Sequence, residues 1–101
     1  MKRKINIEDL PDFDVVDYLE DAQAIAEYLT VVLEDGDPSL LIAALGDIAR
    51  AKGMSEVSRE SGLAREALYK ALRIGAQPRF DTVMRVLKTL GVRLVAQPVT
   101  A

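Results

Sequence analysis

Carboxylates and cations are the side chains of this chain that could do chemistry, because its 101 residues include neither cysteine nor histidine. That composition excludes disulfides, thiolate and imidazole metal sites, and nucleophilic catalysis by a Cys or a Ser–His pair. An enzyme would have to rely on carboxylates such as Asp12, Asp14 and Asp17. Because metal and acid–base sites usually draw converging ligands from several elements, we expect a protein that is not an enzyme and that uses no cofactor and no metal.

The charged side chains are divided between the two halves of the chain. Twelve acidic and no basic residues lie between Ile5 and Ala49, whereas ten basic and four acidic residues follow from Arg50 onward, a net charge of +6 in a chain of net charge −3. The basic half is therefore a candidate for a phosphate backbone, and the acidic half for a basic partner. The alternative is that both are solvated helix faces.

Residues 54–73 carry the spacing of a helix-turn-helix. That motif needs apolar residues where its helices cross, a small residue in the first helix and a glycine of positive φ in the turn. Ser58, Gly62 and Leu68 occupy the small fifth, the turn ninth and the buried fifteenth of the twenty positions. Ser58 stands where alanine is usual and Ser61 where an apolar residue is usual. An ordinary helical hairpin with a polar outer face is the alternative.

In this register the second helix begins near Ala64 and directs its polar side chains toward a major groove. We expect Arg65 to read guanine, Glu66 to accept a hydrogen bond from cytosine or to orient Arg65, and Tyr69 to reach a phosphate or a thymine methyl. The remaining cations are expected to contact phosphates. The predicted DNA-binding residues are Ala64, Arg65, Glu66, Tyr69, Lys70, Arg73, Gln77 and Arg79.

The hydrophobic pattern predicts an all-α fold, a compact bundle of about five to six helices. An extended N-terminal arm is predicted over residues 1–13, followed by a single helical DNA-binding domain over residues 14–101. Within that domain, acidic helices over 14–53 precede the helix-turn-helix over 54–73, and a final helix and short strand occupy 80–96.

Capping residues mark the predicted helix boundaries. Glu20 or Asp21 is expected to begin a long helix, and Gly36 stands where a left-handed C-cap is expected. Asp37 and Pro38 suit the N-cap and first position of the next helix. No apolar run approaches a membrane span or follows the basic N-terminus as in a signal peptide, so we expect a cytoplasmic protein.

The last helix is expected to turn Phe80 and Met84 inward together with Val83, Leu87 and Leu90. The alternating residues 92–95 then predict a short strand. The final helix and this strand are candidate surfaces for a homodimer, which is expected because one recognition helix covers only a few base pairs.

Specific segments of the chain resemble a known family. They are Leu-Glu-Asp-Gly-Asp-Pro at 33–38, Gly-Asp-Ile-Ala-Arg-Ala-Lys-Gly-Met at 46–54 and the run at 61–72. These segments resemble the HigA-like addiction module antidote proteins, antitoxins with a Cro/C1-type (XRE-type) helix-turn-helix. The resemblance extends from about Phe13 to Leu94.

The resemblance implies a type II antitoxin. Such a protein binds and inhibits a RelE/ParE-superfamily, HigB-like toxin, typically a small basic ribonuclease, and represses its own operon as a dimer. A stand-alone Cro/C1-type transcriptional regulator without a toxin is the alternative. One departure concerns the loop before the last helix, where family members usually carry Asn-Pro and then Ser or Thr. This chain has Gln77-Pro78-Arg79, so the usual cap is missing.

The acidic half gains a role from this implied partner. Long-range attraction would accelerate association with a basic toxin, and apolar contacts would supply lasting affinity. We expect the contact where aromatic side chains stand next to carboxylates. The predicted toxin-binding residues are Phe13, Asp14, Asp17, Tyr18, Glu20 and Asp21.

Overall fold

A computed structural model describes residues 21–99 of the chain. These residues form five helices: α1 (Ala22–Asp35), α2 (Pro38–Lys52), α3 (Met54–Ser61), α4 (Arg65–Ala71) and α5 (Phe80–Thr89). The all-α prediction is confirmed for this part of the chain. The predicted N-terminal arm over residues 1–13 lies outside it.

The boundary between α1 and α2 follows from local capping chemistry. The Asp21 carboxylate accepts a hydrogen bond from the Gln23 N–H at 3.2 Å and begins α1, and Gly36 ends it at a left-handed φ of +86°. The Asp37 carboxylate accepts from the Ser39 N–H at 2.9 Å, ahead of a proline at the first position of α2. The predicted boundaries are confirmed because each depends on residues within one turn of it.

The core is centred on α2. Leu45 and Ile48 of α2, Val57 of α3, Leu68 of α4 and Val86 of α5 are each fully buried. Helix α2 packs against α1, α3 and α5, and α3 in turn packs against α4 and α5. Burial of a leucine- or valine-sized side chain stabilises a fold by about 1.5–3 kcal/mol, so the burial of Leu68 stabilises the packing of α4 on the bundle.

Gly46 lets the end of α4 approach α2. A Cβ atom at this buried position would lie 2.8 Å from the carbonyl oxygen of Leu72, the residue that follows α4. Glycine in a helix interior is less favourable than alanine by about 1 kcal/mol, but here a methyl group would collide with backbone.

The predicted C-terminal strand is wrong, since residues 21–99 contain no strand. Val92 and Leu94 are half-buried against the core, whereas Arg93 and Val95 are exposed. Burial does alternate along residues 92–95, but it does so because this segment packs against helices. A strand also needs a neighbouring strand for its backbone hydrogen bonds, and the described residues provide none.

The predicted inward face of α5 is wrong at two positions. Phe80 is 68% exposed and Met84 is 39% exposed, and Val86 is buried instead. At 100° per residue, Met84 lies at the edge of the stripe that Val83, Val86 and Leu87 turn to the core. Phe80 is the first residue of the helix, one turn before the first buried side chain.

Candidate nucleic-acid interface

Helices α3 and α4 are joined by a tight turn over residues 62–64. Gly62 ends α3 at a φ of +78°, and its N–H donates to the Ser58 carbonyl oxygen at 3.0 Å. This left-handed conformation favours glycine because a Cβ atom would be strained there. The two short helices predicted around Gly62 are therefore present.

The two serines that depart from the usual pattern brace this turn. The Ser58 hydroxyl donates to the Leu63 carbonyl oxygen at 2.5 Å, and the Leu63 N–H donates to the Ser61 hydroxyl oxygen at 3.2 Å. The Ser61 hydroxyl lies 3.4 Å from the Ser58 carbonyl oxygen, which accepts from it. Alanine at 58 or an apolar residue at 61 would make none of these bonds, so the departures have a structural use.

The outer face of α4 is exposed, whereas its inner face is fixed. Leu68 is fully buried and Leu72 nearly so, which sets the rotation of the helix about its axis. All eight predicted DNA-binding residues are exposed: Ala64, which is the N-cap residue, and Arg65, Glu66, Tyr69, Lys70, Arg73, Gln77 and Arg79. The structure brings Arg65, Glu66, Tyr69 and Lys70 together on one helix. The other three follow along the connection to α5.

Arg65 and Tyr69 form a pair along α4. The Arg65 guanidinium donates from Nη2 to the Tyr69 hydroxyl oxygen at 3.3 Å, and its Cζ lies 5.7 Å from the centre of the tyrosine ring. Tyr69, rather than Glu66, is thus the residue that orients Arg65 within the described part of the chain. Because the tyrosine oxygen accepts this bond, its own proton remains available for a second acceptor.

The loop before α5 lacks a side-chain cap, as the sequence predicts. Arg79 is the N-cap residue of α5 but its side chain makes no capping bond. Its Nε instead donates to the Asp81 carboxylate at 3.1 Å, and both side chains are exposed. A carboxylate in the first turn offsets part of the missing cap through the helix dipole. Upstream, the Ala76 N–H donates to the Arg73 carbonyl oxygen at 3.0 Å and closes the loop.

Two cations next to the α3–α4 turn were not singled out from the sequence. Arg85 and Lys88 of α5 line a hollow of about 370 Å³ together with Glu60 and Ser61. The Arg85 Nη1 atom lies 3.9 Å from the place that a Cβ on Gly62 would occupy. Their spacing of three residues on one helix, in the basic half, was the available signal. Positive charge therefore extends from α4 past the turn.

Of the predicted toxin-binding residues, Asp21 alone lies within the described part of the chain. Its side chain is exposed and caps α1. The other five, Phe13, Asp14, Asp17, Tyr18 and Glu20, lie outside the described residues, as does Asp12. Within residues 21–99, no three acidic side chains come together as a metal site would require. None of the helices there is both long and apolar enough to cross a membrane.

Residues 9–98 match the family described as "Probable addiction module antidote protein". The chain belongs to this family. It is 44% identical over 90 residues to an uncharacterized protein of Haemophilus influenzae, an alignment that covers 89% of this chain and 93% of that protein. No solved structure matches the chain.

Membership in the antidote family implies a toxin partner, because an antidote acts against the toxin of its addiction module. The antitoxin part of the predicted resemblance is thereby confirmed. The HigA-like subclass and the Cro/C1 type of the helix pair stay predictions.

Proposed function

We propose that this antidote-family chain is the antitoxin of a type II toxin–antitoxin module with two activities. It neutralises a RelE/ParE-superfamily, HigB-like ribonuclease toxin by direct binding, and it represses its own operon by sequence-specific binding to operator DNA. In this proposal it is a cytoplasmic binding protein without catalytic activity, cofactor or metal.

The outer face of α4 is the observation that carries the DNA-binding proposal. An α-helix fits the major groove when its inner face is anchored and its outer face is polar. Leu68 anchors α4, and the hydroxyl bonds of Ser58 and Ser61 fix the turn that sets its angle to α3. A helix-turn-helix requires two helices joined by a tight turn, with an anchored second helix and basic residues around it. Helices α3 and α4 fit this description.

The side chains of α4 would divide the work of recognition. Arg65, held along the helix by Tyr69, would donate two hydrogen bonds to guanine O6 and N7, and Glu66 would accept one from cytosine N4. The Tyr69 proton would reach a phosphate or its ring a thymine methyl. Lys70, Arg73 and Arg79 would neutralise phosphates and supply affinity without sequence preference. Gln77, in the same loop as Arg79, would donate a hydrogen bond to a phosphate.

A homodimer would double these contacts over a palindromic operator, because a single recognition helix reads only a few base pairs. The acidic half would attract a basic toxin, with Phe13, Tyr18 and the carboxylates of Asp14, Asp17, Glu20 and Asp21 at the contact. Asp21 would then serve both as the cap of α1 and as a contact residue.

DNA binding is tested with a duplex from the promoter of the protein's own gene and a scrambled duplex of equal composition. We expect Arg65→Ala to weaken promoter binding about 5- to 150-fold while hardly changing binding to the scrambled duplex, since it removes a base contact. Lys70→Ala should weaken both duplexes alike and reduce the slope of log K against log salt by about 1.

The matched control for these variants is Arg93→Ala, which removes an exposed arginine of the basic half that lines a groove with Leu33 and Glu34 of α1 and with no residue of α4. We expect it to leave both affinities and the salt slope unchanged. If Arg65→Ala weakened both duplexes equally and Lys70→Ala left the slope unaltered, α4 would not be the element that enters the groove.

Toxin neutralisation is tested by co-expression with the small basic open reading frame expected beside this gene. The two products should copurify, and the toxin's inhibition of growth should be relieved by the antitoxin. If no such neighbour exists or the products do not associate, the chain is better explained as a stand-alone regulator. The DNA-binding proposal does not depend on that outcome.

A further inference from the structure

Apolar side chains surround Leu33 at the C-terminal end of α1; Leu33, Val95 and Val99 are exposed, and Val32 and Leu41 are half-buried against the core. Leu33 of α1 is 43% exposed. It lines a hollow of about 290 Å³ with Val32 and Leu41, and also a groove of about 780 Å³ with Val95 and Val99. We call these five residues, Val32, Leu33, Leu41, Val95 and Val99, the Leu33 surface. Apolar side chains that are grouped at the surface are a candidate site for a protein contact.

Carboxylates border the Leu33 surface. Glu34 lines the groove and Asp37 lines the hollow, whereas Arg93 is the one cation among the described residues that line either. Helices α1 and α2 bear no basic side chain before Arg50. The apolar centre therefore stands in a negative field.

This charge selects among the partners that an apolar surface can take. A second copy of the chain that docked through the same surface would bring Glu34 and Asp37 close to their own counterparts, and like charges across an interface are unfavourable. The phosphates of a nucleic acid would be repelled in the same way. A basic protein with an exposed apolar side chain can do both: its apolar side chain packs against the Leu33 surface, and its cations pair with the carboxylates that border this surface.

We propose that the Leu33 surface is a docking site for the basic toxin, an inference that rests on the proposed antitoxin function. Leu33 lies twelve residues from Asp21 along α1, about 18 Å at 1.5 Å per residue. The surface is therefore separate from Asp21, the one predicted toxin-binding residue within the described part of the chain. Its apolar residues act as the anchor of the interface, and Glu34 and Asp37 steer the approach.

The experiment measures the affinity of the full chain for the purified product of the adjoining basic open reading frame. Leu33→Gln and Val95→Gln exchange an exposed apolar side chain for a neutral polar one and leave net charge unchanged. We expect at least about a tenfold loss of affinity for Leu33→Gln and a larger loss for the double variant, as for central residues of an interface. The matched control is Ile74→Gln, at a position 89% exposed in the loop between α4 and α5, which should bind like the parent.

A second measurement does not depend on variants. In the complex of the unaltered proteins, hydroxyl-radical labelling of Leu33 and Val95 should fall relative to the free antitoxin, whereas labelling of Ile74 should not. A helical circular dichroism spectrum and a urea midpoint like those of the parent show that each variant is folded.

The outcomes separate the two proposals. If the parent binds the basic protein and both the variants and the labelling are unaffected, the docking site is wrong and the antitoxin function stands. If Leu33→Gln changes the oligomeric state of the antitoxin instead of its affinity for the basic protein, the surface joins two copies and the docking site is again wrong. If the parent does not bind the basic protein at all, the antitoxin function fails and the docking site fails with it.

Discussion

At the scale of single residues, the α3–α4 turn shows what a sequence pattern leaves out. The pattern identifies Ser58 and Ser61 as departures from the usual residues, and position alone says nothing more about them. The structure places the Leu63 backbone within reach of both hydroxyls, so that each serine makes a hydrogen bond that the usual residue lacks. Such bonds depend on where a turn positions a carbonyl five residues away, which the pattern does not contain.

Ser58→Ala is expected to destabilise the protein although alanine is the usual residue at this position. The substitution removes the hydrogen bond to the part-buried Leu63 carbonyl, at a cost of about 1 kcal/mol in the free energy of unfolding. Urea denaturation measures this cost. Ser55→Ala, at an exposed position of the same helix, is the control, because it makes the same change in helix propensity. Equal stability of the two variants would show that the Ser58 hydroxyl contributes nothing.

Tyr28 is expected to make the folded protein less stable at alkaline pH. Burial raises the pKa of the Tyr28 phenol above its ordinary value of 10.0, and the nearby Asp47 carboxylate raises it further. The folded state therefore favours the neutral phenol. This contribution to stability is fully present below the unfolded pKa and is lost as the pH rises through the folded one.

The expected result is a steeper loss of stability above about pH 10 in the parent than in Tyr28→Phe, which has no proton to lose there. Urea denaturation over a pH series measures the difference. Titration by ultraviolet absorbance should show, in the parent only, a phenol that ionises above the ordinary value. Parallel pH profiles for the two proteins would contradict the assignment.

At the scale of elements, the helix boundaries were predictable and the inward faces only in part. Asp21, Gly36 and Asp37 act within one turn of themselves, so their capping roles follow from residue type. The face of α5 depends instead on where α2 and α3 lie, and Val86 replaced Met84 in the core for that reason. The predicted strand failed similarly, because alternation indicates alternate burial and not a hydrogen-bonded neighbour.

Gly46→Ala is expected to loosen the contact between α2 and the end of α4. A methyl group would lie 2.8 Å from the Leu72 carbonyl oxygen, so helix α4 or α2 would have to move. Overpacking of this kind costs about 1–3 kcal/mol, partly offset by about 1 kcal/mol from the better helix propensity of alanine. Urea denaturation should therefore show a net destabilisation of up to about 2 kcal/mol, and the displacement of α4 should weaken promoter binding.

The control for Gly46→Ala is Ala43→Gly, which makes the reverse change on the same helix. Helix propensity alone would make the glycine variant less stable than the parent and the alanine variant more stable. A stabilised Gly46→Ala protein with full promoter affinity would show that α4 does not depend on this close approach.

At the scale of the whole molecule, the division of charge follows the division of the fold. Of the ten acidic residues of the described part, six lie on α1 and α2 or cap them ahead of Arg50, whereas all ten basic residues of that part lie from Arg50 onward. Helix α1 packs against α2, whereas α4 packs against α3. The sequence shows this division of charge directly. The assignment of a toxin to the acidic half depends on membership in the antidote family, which implies a toxin partner.

One substitution should therefore act on the two proposed partners in opposite directions. Glu34→Gln with Asp35→Gln removes two negative charges at the end of α1. At low salt we expect association with the basic toxin to slow by at least about twofold, because long-range attraction sets the rate. Promoter affinity should rise slightly, by up to about twofold, because repulsion of phosphates is reduced. Stopped-flow mixing and anisotropy titration measure the two effects.

Salt separates this long-range effect from local damage. The Debye length falls from about 30 Å at 0.01 M to about 3 Å at 1 M, so both changes should disappear as salt is raised. Glu60→Gln, a neutralisation next to the α3–α4 turn, should raise promoter affinity more and alter toxin association less, because its charge lies in the basic half. If Glu34→Gln with Asp35→Gln shifted both partners in the same direction, the two halves of the molecule would not serve partners of opposite charge.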